Sequence, residues 1–246
     1  MKRKFNQLTV NQMKHTLILF SFCVLFIGCT KDWGNPTIKN YPINESFTGL
    51  TVSNAFEVTV SDQVTDVVVT VGESAHKRVI VQIINGELHI GFKTGTRYNG
   101  MAKAIIPATA NLRNLDLSGA SSFLGDLNGH DVNIDLSGAS FFKGNVDADE
   151  LDINLSGSSD AIITGFCQDK MEINLSGGSS LNASLLETQS VYGEISGASD
   201  ANVTVCSHLN VNLSGASTLT YGTINDDCNP IVNCNTSGGS TVSRRW

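Results

Sequence analysis

One phrase recurs through the second half of the chain and constrains its fold more than any other feature. It is Leu-Asp-Leu-Ser-Gly-Ala-Ser at residues 115–121, returning at 134–140, 153–159, 173–179, 194–199 and 211–217, and degraded to Cys-Asn-Thr-Ser-Gly-Gly-Ser at 234–240. The first serines are Ser118, Ser137, Ser156, Ser176, Ser196, Ser214 and Ser237, so the steps are 19, 19, 20, 20, 18 and 23 residues. Self-similarity at a period near twenty means units that each bury one face against the next.

Within each phrase the apolar positions alternate, as in Ile153-Asn154-Leu155, which puts Ile153 and Leu155 on one side of a strand and Asn154 on the other. The predicted inner column is Leu115/Leu117, Ile134/Leu136, Ile153/Leu155, Ile173/Leu175, Gly193/Ile195, Val211/Leu213 and Cys234/Thr236. Return limbs supply further inner positions, among them Phe123, Phe142, Ala161 with Ile163, Leu181 with Ala183, Ala201 with Val203, and Leu219. The glycine after each serine permits a corner that a Cβ resists. Leucine-rich repeats would continue with a pattern that is missing, and a hexapeptide coil would keep multiples of six. The reading that remains is all-β: a single-stranded right-handed parallel β-helix, whose seven phrases stack over roughly 30 Å.

Residues 47–110 read as irregular coils and an N-terminal cap of the same body. β-Branched runs lie at 67–71 and 79–84, and Asn85-Gly86 marks a two-residue hairpin turn before Glu87. Leu-Thr-Val-Ser-Asn-Ala at 50–55 aligns with 115–120, with Asn54 at the glycine position, where asparagine tolerates a left-handed backbone. An independent second domain is the alternative. The repeats proper span 111–246.

Residues 16–27 are apolar but for Ser21, follow Lys14 and His15, and precede Gly28-Cys29. The run is too short for a stable span and has the layout of a signal-peptide core. Residues 1–28 are therefore expected to be removed, with Met13 a candidate true start. Residues 25–29, Leu-Phe-Ile-Gly-Cys, resemble a bacterial lipoprotein box, which implies lipidation of Cys29 and an outer-membrane location, facing either the periplasm or the exterior. Residues 29–46, polar and broken by Pro36 and Pro42, read as a tether, with Trp33 able to touch the membrane.

From Cys29 onward 12 basic residues face 23 acidic ones, a balance of −11. That sign repels phosphate backbones and excludes nucleic acid as a partner.

Repeated apolar-x-apolar-Ser-Gly-Ala-Ser phrases behind a β-rich lead-in and a lipoprotein leader resemble the bacterial head GIN domain family of Bacteroidetes, whose members carry an autotransporter-adhesin label. The resemblance covers about residues 47–241. It implies a β-helical fold and an adhesin's role, and it carries over no catalytic residue.

Outward positions are expected to form three ladders. The first is Asp116, Asp135, Asn154, Asn174, Glu194, Asn212 and Asn235; the second is the first serines; the third is Ser121, Ser140, Ser159, Ser179, Ser199, Ser217 and Ser240. Asn ladders hydrogen-bond along a stack, and corner serines satisfy local backbone groups. The same strip offers hydroxyls and amides to a glycan or a surface protein, and its candidate binding residues are Asp116, Asp135, Asn154, Asn174, Glu194 and Asn212. Asp116 over Asp135 supplies too few carboxylates for calcium, so no metal or cofactor is assigned.

The rival function is a β-helical polysaccharide lyase or hydrolase. Asp160 and Asp200 occupy equivalent places two coils apart, roughly 9.6 Å by strand spacing, within reach of an inverting pair. Between Asn114 and Ser243 the only basic residues are Lys143 and Lys170, with His130 and His208 on separate coils, so no third group assists them and no catalytic residue is assigned. Cys228 is within reach of Cys206 or Cys234, and the sequence leaves that pairing open. Should the first ladder not bind, the loop at 91–100 with Lys93, Arg97 and Tyr98 is the next candidate.

Overall fold

The computed structural model describes residues 32–108 and 111–245. The leader, Met13 and Cys29 lie outside these residues. The described residues are 61% strand and 3% helical, wound as a β-solenoid of about seven turns with coils about 20 residues apart.

The phrases stack one on one and in parallel: Leu115 opposes Ile134, Ile134 opposes Ile153, and Ile153 opposes Ile173. Long strands such as Phe141–Leu155, Asp160–Leu175 and Ser180–Ile195 each wrap most of a coil. Register shifts at Ala148/Glu150 and Ala183/Glu187 absorb the unequal steps. Apart from half-buried Gly193, the inner column from Leu115 to Leu213 is buried, as are Phe123, Phe142, Ile163, Leu181, Val203 and Leu219 from the return limbs. Phe123 and Phe142 stack at 6.0 Å with rings 7° apart. The last pair departs from expectation, because Thr236 is exposed and Cys234 only half-buried in the terminal coil. Gly193 is required where it stands: its φ is +139° and an added side chain would strike the Ile173 carbonyl.

Strand Gly49–Val52 pairs in parallel with Asn114–Leu117 on one side and with Glu87–Phe92 on the other, Leu50 opposing Leu115 and Leu88. Strand Glu57–Ser61 is likewise held between Ser122–Leu124 and Lys103–Pro107. The chain thus lays the coil next to the repeats first, steps outward, and doubles back. Val79–Ile84 closes one edge antiparallel to Glu87–Phe92 through the Asn85-Gly86 turn, where both φ values are positive. Val67–Gly72 and then Pro36–Tyr41 close the other edge, also antiparallel. A 3-10 helix at Glu73–Arg78 joins these edges and buries Ala75. The outermost strands at this end, Val79–Ile84 and Pro36–Tyr41, each pair on one side only and are themselves the sheet edges.

Two expectations for the N-terminal segment are corrected. Residues 36–41 form an edge strand rather than part of a free tether, and Trp33 is 7% exposed, packed edge-on to Tyr98 at 5.6 Å. Polar edge strands carry no alternation to read, and a proline at the first residue of an edge strand costs no ladder bond. Residues 33–246 are one compact unit with a continuous core of their own, so this part folds without the leader.

Candidate functional site

Each corner is a backbone device. The glycine φ values run from +62° at Gly119 to +79° at Gly177, and the next residue's N–H donates to the preceding coil's glycine carbonyl, as from Gly178 to Gly157 at 2.8 Å. Asn54 and Ala55 stand in for this corner at φ +65° and +60°. Asn54 Oδ1 also accepts from the Phe92 N–H at 2.9 Å, fastening the cap to the first coil.

The chain turns so sharply here that the fourth residue of each corner points inward, which corrects the third serine ladder. Ser121, Ser140, Ser159, Ser179, Ser199 and Ser217 are buried, not outward. Their hydroxyls donate to carbonyls three residues back: Ser121 to Ser118, Ser140 to Ser137 and Ser159 to Ser156, each at 2.8 Å, and Ser217 to Ser214. A buried hydroxyl must find such a partner. First serines are half-tied, with Ser156 donating to Leu136 O at 3.4 Å and Ser196 to Leu175 O at 3.3 Å.

The first ladder faces solvent along one wall of the solenoid, in register from Asp116 through Asp135, Asn154, Asn174 and Glu194 to Asn212. Asn154 Nδ2 donates to Asp135 Oδ1 at 2.9 Å, Asn174 Nδ2 to Asn154 Oδ1 at 3.1 Å, and Asn235 Nδ2 to Asn212 Oδ1 at 2.9 Å. The row lines two open grooves. The larger, about 370 Å³, runs over Asp116, Asp135, Asn154 and Asn174 with Ser137, Ser156 and Ser176 on its flank. The smaller, about 300 Å³, runs over Glu194, Asn212 and Asn235 with Ser196, Ser214 and Ser237. Partial burial in the groove, then the carboxylates of Asp135 and Glu87, push the Asp116 carboxyl above the ordinary aspartate range, with His89 opposing. Glu87 accepts from Thr51 Oγ1, which occupies the row in the coil before Asp116.

Asp160 and Asp200 are exposed on the next wall with Ser180 between them, each in register with that serine. Among the described residues no group of three His, Cys, Asp or Glu side chains is arranged to hold a metal. Tyr98, grouped with Lys93 and Arg97 as the second candidate, is a packing residue: its hydroxyl accepts from the Gly72 N–H and donates to Met101 O, both at 2.8 Å. Cys206 and Cys228 form a disulfide, while Cys167 and Cys234 are free thiols. The longer final step carries Cys228 back over the coil that holds Cys206.

Residues 46–223 match the family model described as putative auto-transporter adhesin, head GIN domain. The chain belongs to the head GIN domain family. Its fold is shared with a crystal structure described as a putative adhesin from Bacteroides fragilis, at TM-score 0.73 and 14% identity over 86% of this chain and 97% of that one. Two further crystal structures at TM-score 0.59 and 18% identity each cover 87% of this chain and 98% of their own. One is described as a putative adhesin from Parabacteroides merdae, the other as a putative lipid binding protein from Parabacteroides distasonis. No curated protein matches the chain. The repeated Ser-Gly-Ala-Ser corner, with its backbone bonds to the glycine carbonyl of the preceding coil, is an element on which this head GIN domain stacks.

Proposed function

We propose that this head GIN domain is an adhesin-like binding module of the cell envelope, held to the outer membrane through a lipidated Cys29 and engaging an extended glycan along its polar wall. The observation that carries the reading is the row from Asp116 to Asn212, six outward side chains in register above two open grooves. Backbone groups of that wall are consumed in pairing between coils, so a partner peptide has no free edge there to add to. Contact must run through hydroxyls, amides and carboxylates at intervals of about 4.8 Å, which suits a hydroxyl-rich chain. Individually weak contacts gain strength from crowded anchored copies. The family's adhesin description supports the same role.

Residues 30–246 screened against glycans and against envelope proteins, beside a polysaccharide depolymerisation assay, test the reading. Glycan capture without cleavage supports it. Capture of proteins alone replaces the ligand class, and cleavage lost in Asp160→Ala or Asp200→Ala replaces the reading with the polysaccharide-cleaving enzyme. The anchor is tested separately: wild type should incorporate labelled fatty acid, Cys29→Ala should not, and a wild type that never takes up label is simply secreted or periplasmic.

A further inference from the structure

Charge is segregated along the domain. Residues 111–245 carry five bases, Arg113, Lys143, Lys170, Arg244 and Arg245, against sixteen acids. At the opposite end three segments meet: 33–41, 73–78 and 93–101. Ser74 N donates to Trp33 O at 3.1 Å, Glu73 N to Asn35 O at 3.0 Å, and Lys93 N to Arg78 O at 2.8 Å. These segments hold five bases, Lys39, Lys77, Arg78, Lys93 and Arg97, against Glu73, with Asp32 and Glu45 the acids that border the first segment. The segments that carry the five adjoin one another. Lys39 Nζ lies 5.2 Å over the Tyr41 ring, which stacks on His76 beside Lys77, and Arg78 reaches across to Thr96 at 3.1 Å. Elsewhere Lys103 and Lys170 sit in ion pairs with Glu57 and Glu150, but among the described residues none of these five does.

The chain also leaves the folded body here. Trp33 is buried against Tyr98, and Cys29 lies four residues before it, at most about 14 Å of extended chain. A membrane-held Cys29 leaves this end no room to stand away from the bilayer.

We propose that the cap end, through Lys39, Lys77, Arg78, Lys93 and Arg97, is a docking surface for an anionic phospholipid membrane. Cations near such a surface are attracted and the acidic column is repelled, so the solenoid axis points outward and the polar wall stays clear of lipid. This surface is distinct from the ladder; the placement of this end at the bilayer rests on the proposed Cys29 anchor, and the test below removes that anchor, so failure of the one reading is distinguishable from failure of the other.

The test is co-sedimentation of the mature chain, residues 29–246 with Cys29→Ala so that no acyl chain contributes, with vesicles of phosphatidylglycerol and phosphatidylcholine or of phosphatidylcholine alone. Wild type should bind only the anionic vesicles, and high salt should release it. Lys93→Glu with Arg97→Glu should weaken binding roughly tenfold or more, while the charge-matched pair Arg113→Glu with Lys143→Glu should lower it far less. If the loop pair loses its β-sheet circular dichroism, Lys39→Glu with Lys77→Glu takes its place. No preference of wild type for anionic vesicles, or equal losses in the cap pair and the column pair, would overturn the proposal.

Discussion

A Cβ added to Gly177 would stand 2.5 Å from the carbonyl oxygen of Gly157, one coil below, and would do so at a φ of +79°. Gly178 has neither constraint, with its nearest neighbour 4.0 Å away. Gly177→Ala is therefore expected to lower the unfolding free energy by about 3 kcal/mol, from a left-handed backbone and a forced shift between coils. Gly178→Ala should be neutral or slightly stabilising, since Ala198 and Ala216 occupy that place in later coils. Urea unfolding of the two variants checks both.

The buried serine column gives a second contrast. Ser159→Ala removes the bond to Ser156 O and should cost about 1 kcal/mol. Exposed Ser158, its neighbour, should tolerate alanine without measurable change. Paired denaturation curves separate them, and equal effects would mean that the inward hydroxyl is dispensable.

How far the sequence reached depends on the residue. Period-two alternation placed Ile153 and Leu155 inside and Asn154 outside, because a strand's geometry leaves no other arrangement. The corner serine was misplaced because its hydroxyl marked it as an outward group: counted through the corner, positions 153, 155, 157 and 159 share one side, and Ser159 is buried there. Trp33 and strand Pro36–Tyr41 were missed because an edge strand with four exposed positions in six shows no periodicity. Tyr98 looked like a loop residue since the Trp33 ring it packs on is remote in sequence. The Asp116-to-Asn212 row was legible as a column, but its division into two grooves was not.

Asp116 should make stability depend on pH. Its carboxyl is raised in the folded state, first by partial burial and then by Asp135 and Glu87. The folded chain therefore holds this proton more tightly than the unfolded chain. The favourable contribution is full below the unfolded aspartate value and lost as pH rises through the folded one. Asp116→Asn should raise the thermal midpoint near neutral pH, and the gain should shrink in acid below the ordinary aspartate range. A gain that persisted in strong acid would point to a cause other than this charge.

The Cys206–Cys228 bridge closes a 22-residue separation around the terminal coil. Constraint of the unfolded chain over such a loop is worth about 3 kcal/mol, so Cys228→Ser should lower the midpoint of unfolding. Added reductant should lower the wild-type midpoint alone, and a wild type indifferent to reductant would show that the bridge does not form.

The central claim is that the wall from Asp116 to Asn212 is where the head GIN domain meets its ligand. The most direct measurement is affinity for a captured glycan before and after Asp135→Lys, Asn154→Lys and Asn174→Lys are combined, with circular dichroism confirming the β-helix. These side chains point outward, and the substitution removes two exposed ladder bonds while leaving the core untouched. The account predicts a folded variant with binding weakened tenfold or more, about 1.4 kcal/mol or greater. A folded variant that binds as wild type does would contradict it and move the site off this wall.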